Sequence, residues 1–142
     1  MVVSMTCDNL ENLAAIGQLK VESFSESEFE GLLKSGIARL DDAKKTDLNL
    51  ESRFDLAYNS SHALSLAALR WHGYRSENRY MVFQCLQHTV DMENEMWRIL
   101  DQAHRKRNLA EYEGYLDVDE HLVEAVIRVA NEIVDRIGNF VD

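Results

Sequence analysis

Residues 50–73 read LESRFDLAYNSSHALSLAALRWHG, about six helical turns closed by Gly73. Ala57, Ser60, Ser61, Ala63, Ser65, Ala67 and Ala68 place small side chains on several sides of that helix. Small residues let neighbouring helices approach closely, so the stretch reads as a central element partly buried all round. Its neighbours must then be helices too, and the sequence on either side supplies them.

Upstream, Leu10, Leu13, Ala14 and Ile16 recur at helical spacing, giving a helix over 8–19 with Asp8 as its N-cap. Ser25 followed by Glu28 is a capping box, and Phe24 with Phe29 is suited to a hydrophobic staple. The helix it opens carries Leu32, Leu33, Ile37 and Leu40, is weakened locally by Gly31 and Gly36, and stops near Lys44 and Lys45. Downstream, Ser76 is a cap for a helix over 77–88 with Tyr80, Val82, Phe83 and Leu86 inward. A longer helix over 92–112 faces Met96, Trp97, Ile99, Leu100 and Ala103 inward and stops at Gly114. Asp117 and Glu120 form a second box-like start, and the last helix runs through Leu122, Val126, Ile133 and Ile137. No strand-like alternation is visible. The fold class is therefore all-α: one helical domain over 1–142, an antiparallel four-helix bundle over 50–137 with one or two additional N-terminal helices in 1–48.

Composition fits this reading. The 142 residues contain no proline, where average usage predicts roughly seven, and its absence suits long unbroken helices. The longest purely apolar runs are too short to span a membrane. The opening MVVSMTCDNLENL meets acid early and lacks a basic lead-in, so it does not read as a secretory signal. Cys7 and Cys85 show no CxxC spacing. They read as free thiols of a reducing cytoplasm, with Cys85 a small core hydrophobe.

The net charge is −10, from 15 basic and 25 acidic residues. Such a balance opposes general coating of DNA, since phosphate needs a positive field. The charge is uneven, however. Residues 70–107 hold seven Lys/Arg against five Asp/Glu, a local +2. Its basic end lies in AHRKRNLAEYEGY, residues 103–115. At 100° per residue His104, Arg107, Asn108 and Glu111 share one helix face, with Arg105, Tyr112 and Tyr115 adjoining. An arginine fork beside an asparagine can hold a phosphate or a ribose, and a tyrosine can stack on a base. The plainer alternative is a solvated helix end in which basic residues complement the dipole and Arg107 pairs with Glu111.

AYNSSHALSLAALRWHGY, then ENRYMVFQCLQHT, then a helix closing in HRKRNLAEYEG together resemble the HEPN superfamily of small helical domains, over roughly residues 50–135. Active HEPN ribonucleases carry an Arg, usually followed by a polar residue such as Asn, with a His four to six residues beyond. Two protomers join these into a metal-independent RNA-cleaving site. Arg107-Asn108 matches the first half of that motif, but Tyr112, Glu113 and Gly114 stand where the His is expected. A tyrosine titrates near pH 10 and replaces a histidine poorly as acid or base. The resemblance thus implies a non-catalytic homodimer binding RNA, a nucleotide or a nucleotidyltransferase-type partner protein through His104, Arg105, Arg107, Asn108, Glu111 and Tyr112. A degenerate ribonuclease and a protein-only helical adaptor are the alternatives.

No cofactor is expected, for the chain has no glycine-rich phosphate loop, GxSxG or HExxH. Asp101-x-x-His104 and His121-x-x-Glu124 have carboxylate–histidine spacing, but a helical di-metal centre needs two such motifs plus further glutamates. His62, His104 and His121 make a conceivable triple, of a kind that five scattered histidines produce by chance. No metal site is expected. His62 and His72 read as core or boundary residues, and Trp71 and Trp97 as anchors.

Overall fold

In the computed structural model, residues 2–141 are described, with side chains from Asp8 to Phe140. The chain forms helices α1 (Val2–Ala15), α2 (Glu26–Ala43), α3 (Leu50–Trp71), α4 (Arg79–Gln84), α5 (Leu86–Thr89), α6 (Asn94–Glu113) and α7 (Glu120–Ile137). Among the described residues no helix is long and apolar enough to cross a membrane.

As its small residues require, α3 is central and packs against α2, α4, α5, α6 and α7. Phe54, Ala57, Ser60, Ser61, Leu64, Ala67 and Ala68 are fully buried. The main core joins them to Phe83 and Leu86, to Leu100 and Ala103 of α6, and to Val123, Val126, Ala130 and Ile133 of α7. A smaller core beneath α1 gathers Leu10, Leu19, Leu69, Val82 and Cys85. Burial pushes the Cys85 thiol up to about 12, so it is an inert core group. The Cys7 side chain lies outside the described residues.

Several element boundaries differ from expectation. Asp8 caps nothing, because α1 already begins at Val2, and Ile16 is 70 % exposed beyond the helix end. The α4 cap is Asn78, whose Oδ1 accepts from the Met81 amide at 3.0 Å, and not Ser76. The single helix expected over 77–88 is broken at Cys85 into α4 and α5. Asp119, not Asp117, caps α7 by accepting from the Leu122 amide at 2.8 Å. Asp117 instead lies 3.6 Å from Lys106.

Two two-residue strands also form, β1 (Lys20–Val21) and β2 (Tyr74–Arg75), paired antiparallel with Lys20 opposite Arg75 and Val21 opposite Tyr74. Side-chain alternation cannot show in two residues, so only tertiary contacts mark them. The organiser is Arg70, 1 % exposed at the end of α3. Its Nε donates to Glu28 Oε1 at 2.6 Å, Nη1 to the Glu22 carbonyl at 2.8 Å and Nη2 to the Ser23 carbonyl at 2.6 Å. A buried guanidinium is tolerated because each edge of its fork is met. This explains why the capping box is half-formed. Ser25 Oγ accepts from the Glu28 amide at 3.3 Å, but the Glu28 carboxylate is drawn to Arg70 and Arg75. Those two cations hold its carboxyl below the usual range against the opposing effect of burial. The staple does form: Phe24 and Phe29 rings lie 5.9 Å apart, both against Trp71.

Candidate functional site

The polar end of α6 is stopped by Gly114, whose φ of 85° is left-handed and whose amide donates to the Ala110 carbonyl at 2.8 Å. About three turns earlier, His104 is fixed from both sides. Its Nδ1 lies 2.8 Å from Tyr58 Oη and its Nε2 lies 3.3 Å from Asn108 Nδ2. With the proton on Nδ1, the ring donates to Tyr58 and accepts from the Asn108 amide. Both nitrogens are then satisfied in the neutral form, whereas a second ring proton would face the amide N–H. Burial holds the His104 pKa below its ordinary value, with Asp101 opposing and Arg79 reinforcing the shift.

Tyr58 is the floor of this surface. It stacks on Phe54 at 6.0 Å and on His104 at 6.3 Å, and the Arg79 guanidinium lies 5.3 Å above its ring. Arg79 also donates to Asn59 Oδ1 at 3.2 Å. His62, one turn along α3, meets Phe83 edge-on at 6.1 Å. Burial, then Arg79 and His104, lower its pKa to about 4, so it is neutral at physiological pH. Burial raises the Tyr58 hydroxyl pKa, opposed by Arg79 and Arg107.

The expected residues divide into two groups. His104 and Arg107 reach α3, the exposed Asn108 bonds His104 along its own helix, and Glu111 is near enough for its charge to act on Tyr58. Arg107 pairs with Asp55 across helices at 3.8 Å and not with Glu111 along its own helix. Arg105 turns to another face, where it binds Asp101 at 2.9 Å beside Arg98 and Trp97. Tyr112 is 92 % exposed, and Tyr115 is exposed beyond it. His62 and His104 both touch Phe83, whereas His121 is exposed at the start of α7. Among the described residues no group of three or more His, Cys, Asp or Glu is placed to hold a metal ion.

Sequence reasoning missed Tyr58, Asn59 and Arg79 as site residues. A signal was present: Asp55, Tyr58, Asn59 and His62 are a polar stripe at i, i+3, i+4 and i+7 on a helix otherwise rich in small apolar residues. Arg79 had no such signal, since its place above Tyr58 comes from how α4 packs.

Chemically, the surface offers two guanidinium groups, two neutral imidazoles, a phenol and two amides. That set can hold an anion and orient hydroxyl groups. No family model, curated protein or solved structure matches the chain.

Proposed function

We propose that this chain is a HEPN-like domain with an antiparallel four-helix bundle over 50–137, acting as a homodimeric, non-catalytic module that binds RNA or a nucleotide. The observation that carries the reading is that His104 links Tyr58 of α3 to Asn108 of α6, with Arg79 of α4 over the Tyr58 ring and Arg107 near enough for its charge to act on Tyr58. Arginine forks bind phosphate oxygens in two-point fashion, and the exposed Tyr112 and Tyr115 at the same helix end suit stacking on unpaired bases. A nucleotidyltransferase-type partner would occupy the same face. Labelled single-stranded RNA titrated against wild type and Arg107→Ala tests the proposal. A loss of about tenfold is expected for a charged hydrogen bond, and equal affinity rejects the face.

One observation favours the degenerate ribonuclease as a second reading. His104 stands three residues before Arg107, bonded to Tyr58 and held neutral, and with the Asn108 amide displaced its Nε2 would accept a proton at neutral pH. Cleavage of an RNA pool in chelator-containing buffer that disappears in His104→Ala is the expected result on this reading. An uncleaved pool eliminates it.

A further inference from the structure

A groove of about 450 Å³ lies between α2, α3 and α4, next to the face just described. Arg39 and Ser35 of α2 form one wall, Asn59 and His62 of α3 the floor, and Arg79 of α4 the opposite wall. Leu32 and Leu66 supply an apolar end.

This groove brings two arginines together with no acid in its lining. Arg53, Arg70, Arg75, Arg105, Arg107 and Arg136 each lie within 4.0 Å of a carboxylate. Arg39 and Arg79, like Arg98 and Arg128, pair with no carboxylate among the described residues; Arg39 donates to the Ser35 hydroxyl, and Arg79 donates to Asn59 Oδ1 and lies over the Tyr58 ring. No carboxylate lines the groove, in a chain with 25 acids to 15 bases. The grooves beside Trp97, Lys106 and Arg128 each contain at least one acid. Two guanidinium groups facing one concavity with no carboxylate between them repel each other, and a half-buried Arg79 next to His62 adds to that cost. An anion between them would reverse the sign of the interaction. Ser35 and Asn59 add neutral donors, and His62 can donate from a ring nitrogen that hydrogen-bonds nothing else among the described residues.

We propose that this groove binds a terminal phosphate, with Arg39 and Arg79 as its two cationic clamps and the nucleoside against Leu32 and Leu66. Two guanidinium groups match the double charge of a phosphomonoester better than the single charge of a backbone diester. This inference rests on the nucleic-acid reading above and names the group recognised. The same phosphate has two sources, a free nucleotide or the end of an RNA strand.

Calorimetric titration of the full chain with adenosine 5′-monophosphate, adenosine and inorganic phosphate tests it. The monophosphate should bind, and adenosine should bind at least about tenfold more weakly. Arg79→Gln and Arg39→Gln should each weaken the monophosphate by about tenfold or more. Arg39 is exposed on α2, so its variant keeps the test valid if Arg79→Gln fails to fold. Equal binding of adenosine and its monophosphate, or wild-type affinity in Arg39→Gln, overturns the proposal. A short RNA bearing a 5′-phosphate, compared with its 5′-hydroxyl form, separates the sources. Preference for the phosphorylated strand assigns the groove to strand ends, and equal binding assigns it to the free nucleotide. If Arg107→Ala loses RNA while both groove variants bind as wild type, the groove falls and the α6 face stands. The opposite pattern removes the face and keeps the groove.

Discussion

His62 carries an unfavourable position for a titrating group. Phe83 and Arg79 of α4 and His104 of α6 face it, and Ser35 and Arg39 of α2 stand across the groove. Burial, and after it the charges of Arg79 and His104, oppose its protonation and take its pKa from 6.5 to about 4. A depressed folded-state pKa means that the unfolded chain binds the proton more readily. The stabilisation is therefore complete above pH 6.5 and is lost as pH falls toward 4. Each pH unit is worth about 1.4 kcal/mol, so the ceiling is on the order of 3 kcal/mol, reduced by the water that reaches the open side of the groove. Urea unfolding of wild type and His62→Gln across this window measures the effect. The variant should lose distinctly less stability on acidification. His72, His88 and His104 are shifted the same way by burial and leave the variant a residual slope. An unchanged slope in His62→Gln would mean that this imidazole is not held neutral by its surroundings.

The pairing of α2 with α3 turns on a glycine. Gly36 is buried, Ser60 Oγ donates to its carbonyl at 2.7 Å, and a Cβ added there would stand 2.7 Å from Leu64 Cγ. Gly31, five residues earlier on the same helix, has nothing within 4 Å of such a carbon. Helix propensity alone favours alanine at both by about 1 kcal/mol. At Gly31 that gain should appear as a rise in stability of about 0.5–1 kcal/mol. At Gly36 overpacking against Leu64, worth about 1–3 kcal/mol, should outweigh it and make Gly36→Ala net destabilising. Thermal unfolding of the two alanine variants should therefore move in opposite directions; equal rises would show that α2 can shift away from α3. From sequence both glycines looked alike, as local weak points, because close approach is a property of the pair of helices. The long helices themselves were legible, since small or apolar residues recur with a clear period in α2, α3, α6 and α7. Caps were less so. Ser76 and Asn78, or Asp117 and Asp119, are equally good acceptors two residues apart, and only the register of the packed helix selects between them. The break at Cys85 and the β1–β2 pair left no periodic trace at all.

At the scale of the whole molecule, a chain of net charge −10 offers an anion a positive field only locally. His104, Arg107 and Asn108 fall on one face of α6 by helical spacing alone, but Arg79 and Arg39 arrive from α4 and α2 and join it only through the packing around α3. Most remaining cations are tied to carboxylates, such as Arg53 to Glu120 and Arg136 to Glu93. Any RNA affinity must then come from few phosphate contacts, and salt dependence counts them. For single strands the slope of log K against log salt is about −0.7 per phosphate neutralised. Arg39, Arg79 and Arg107 acting together predict a slope near −2 on that basis. Removing Arg107 as Arg107→Ala should reduce its magnitude by about 0.7. Titrating labelled RNA at several potassium chloride concentrations gives both values. A slope of about −4 or steeper would require at least twice as many cationic contacts as this surface offers, and would move the binding site elsewhere on the molecule.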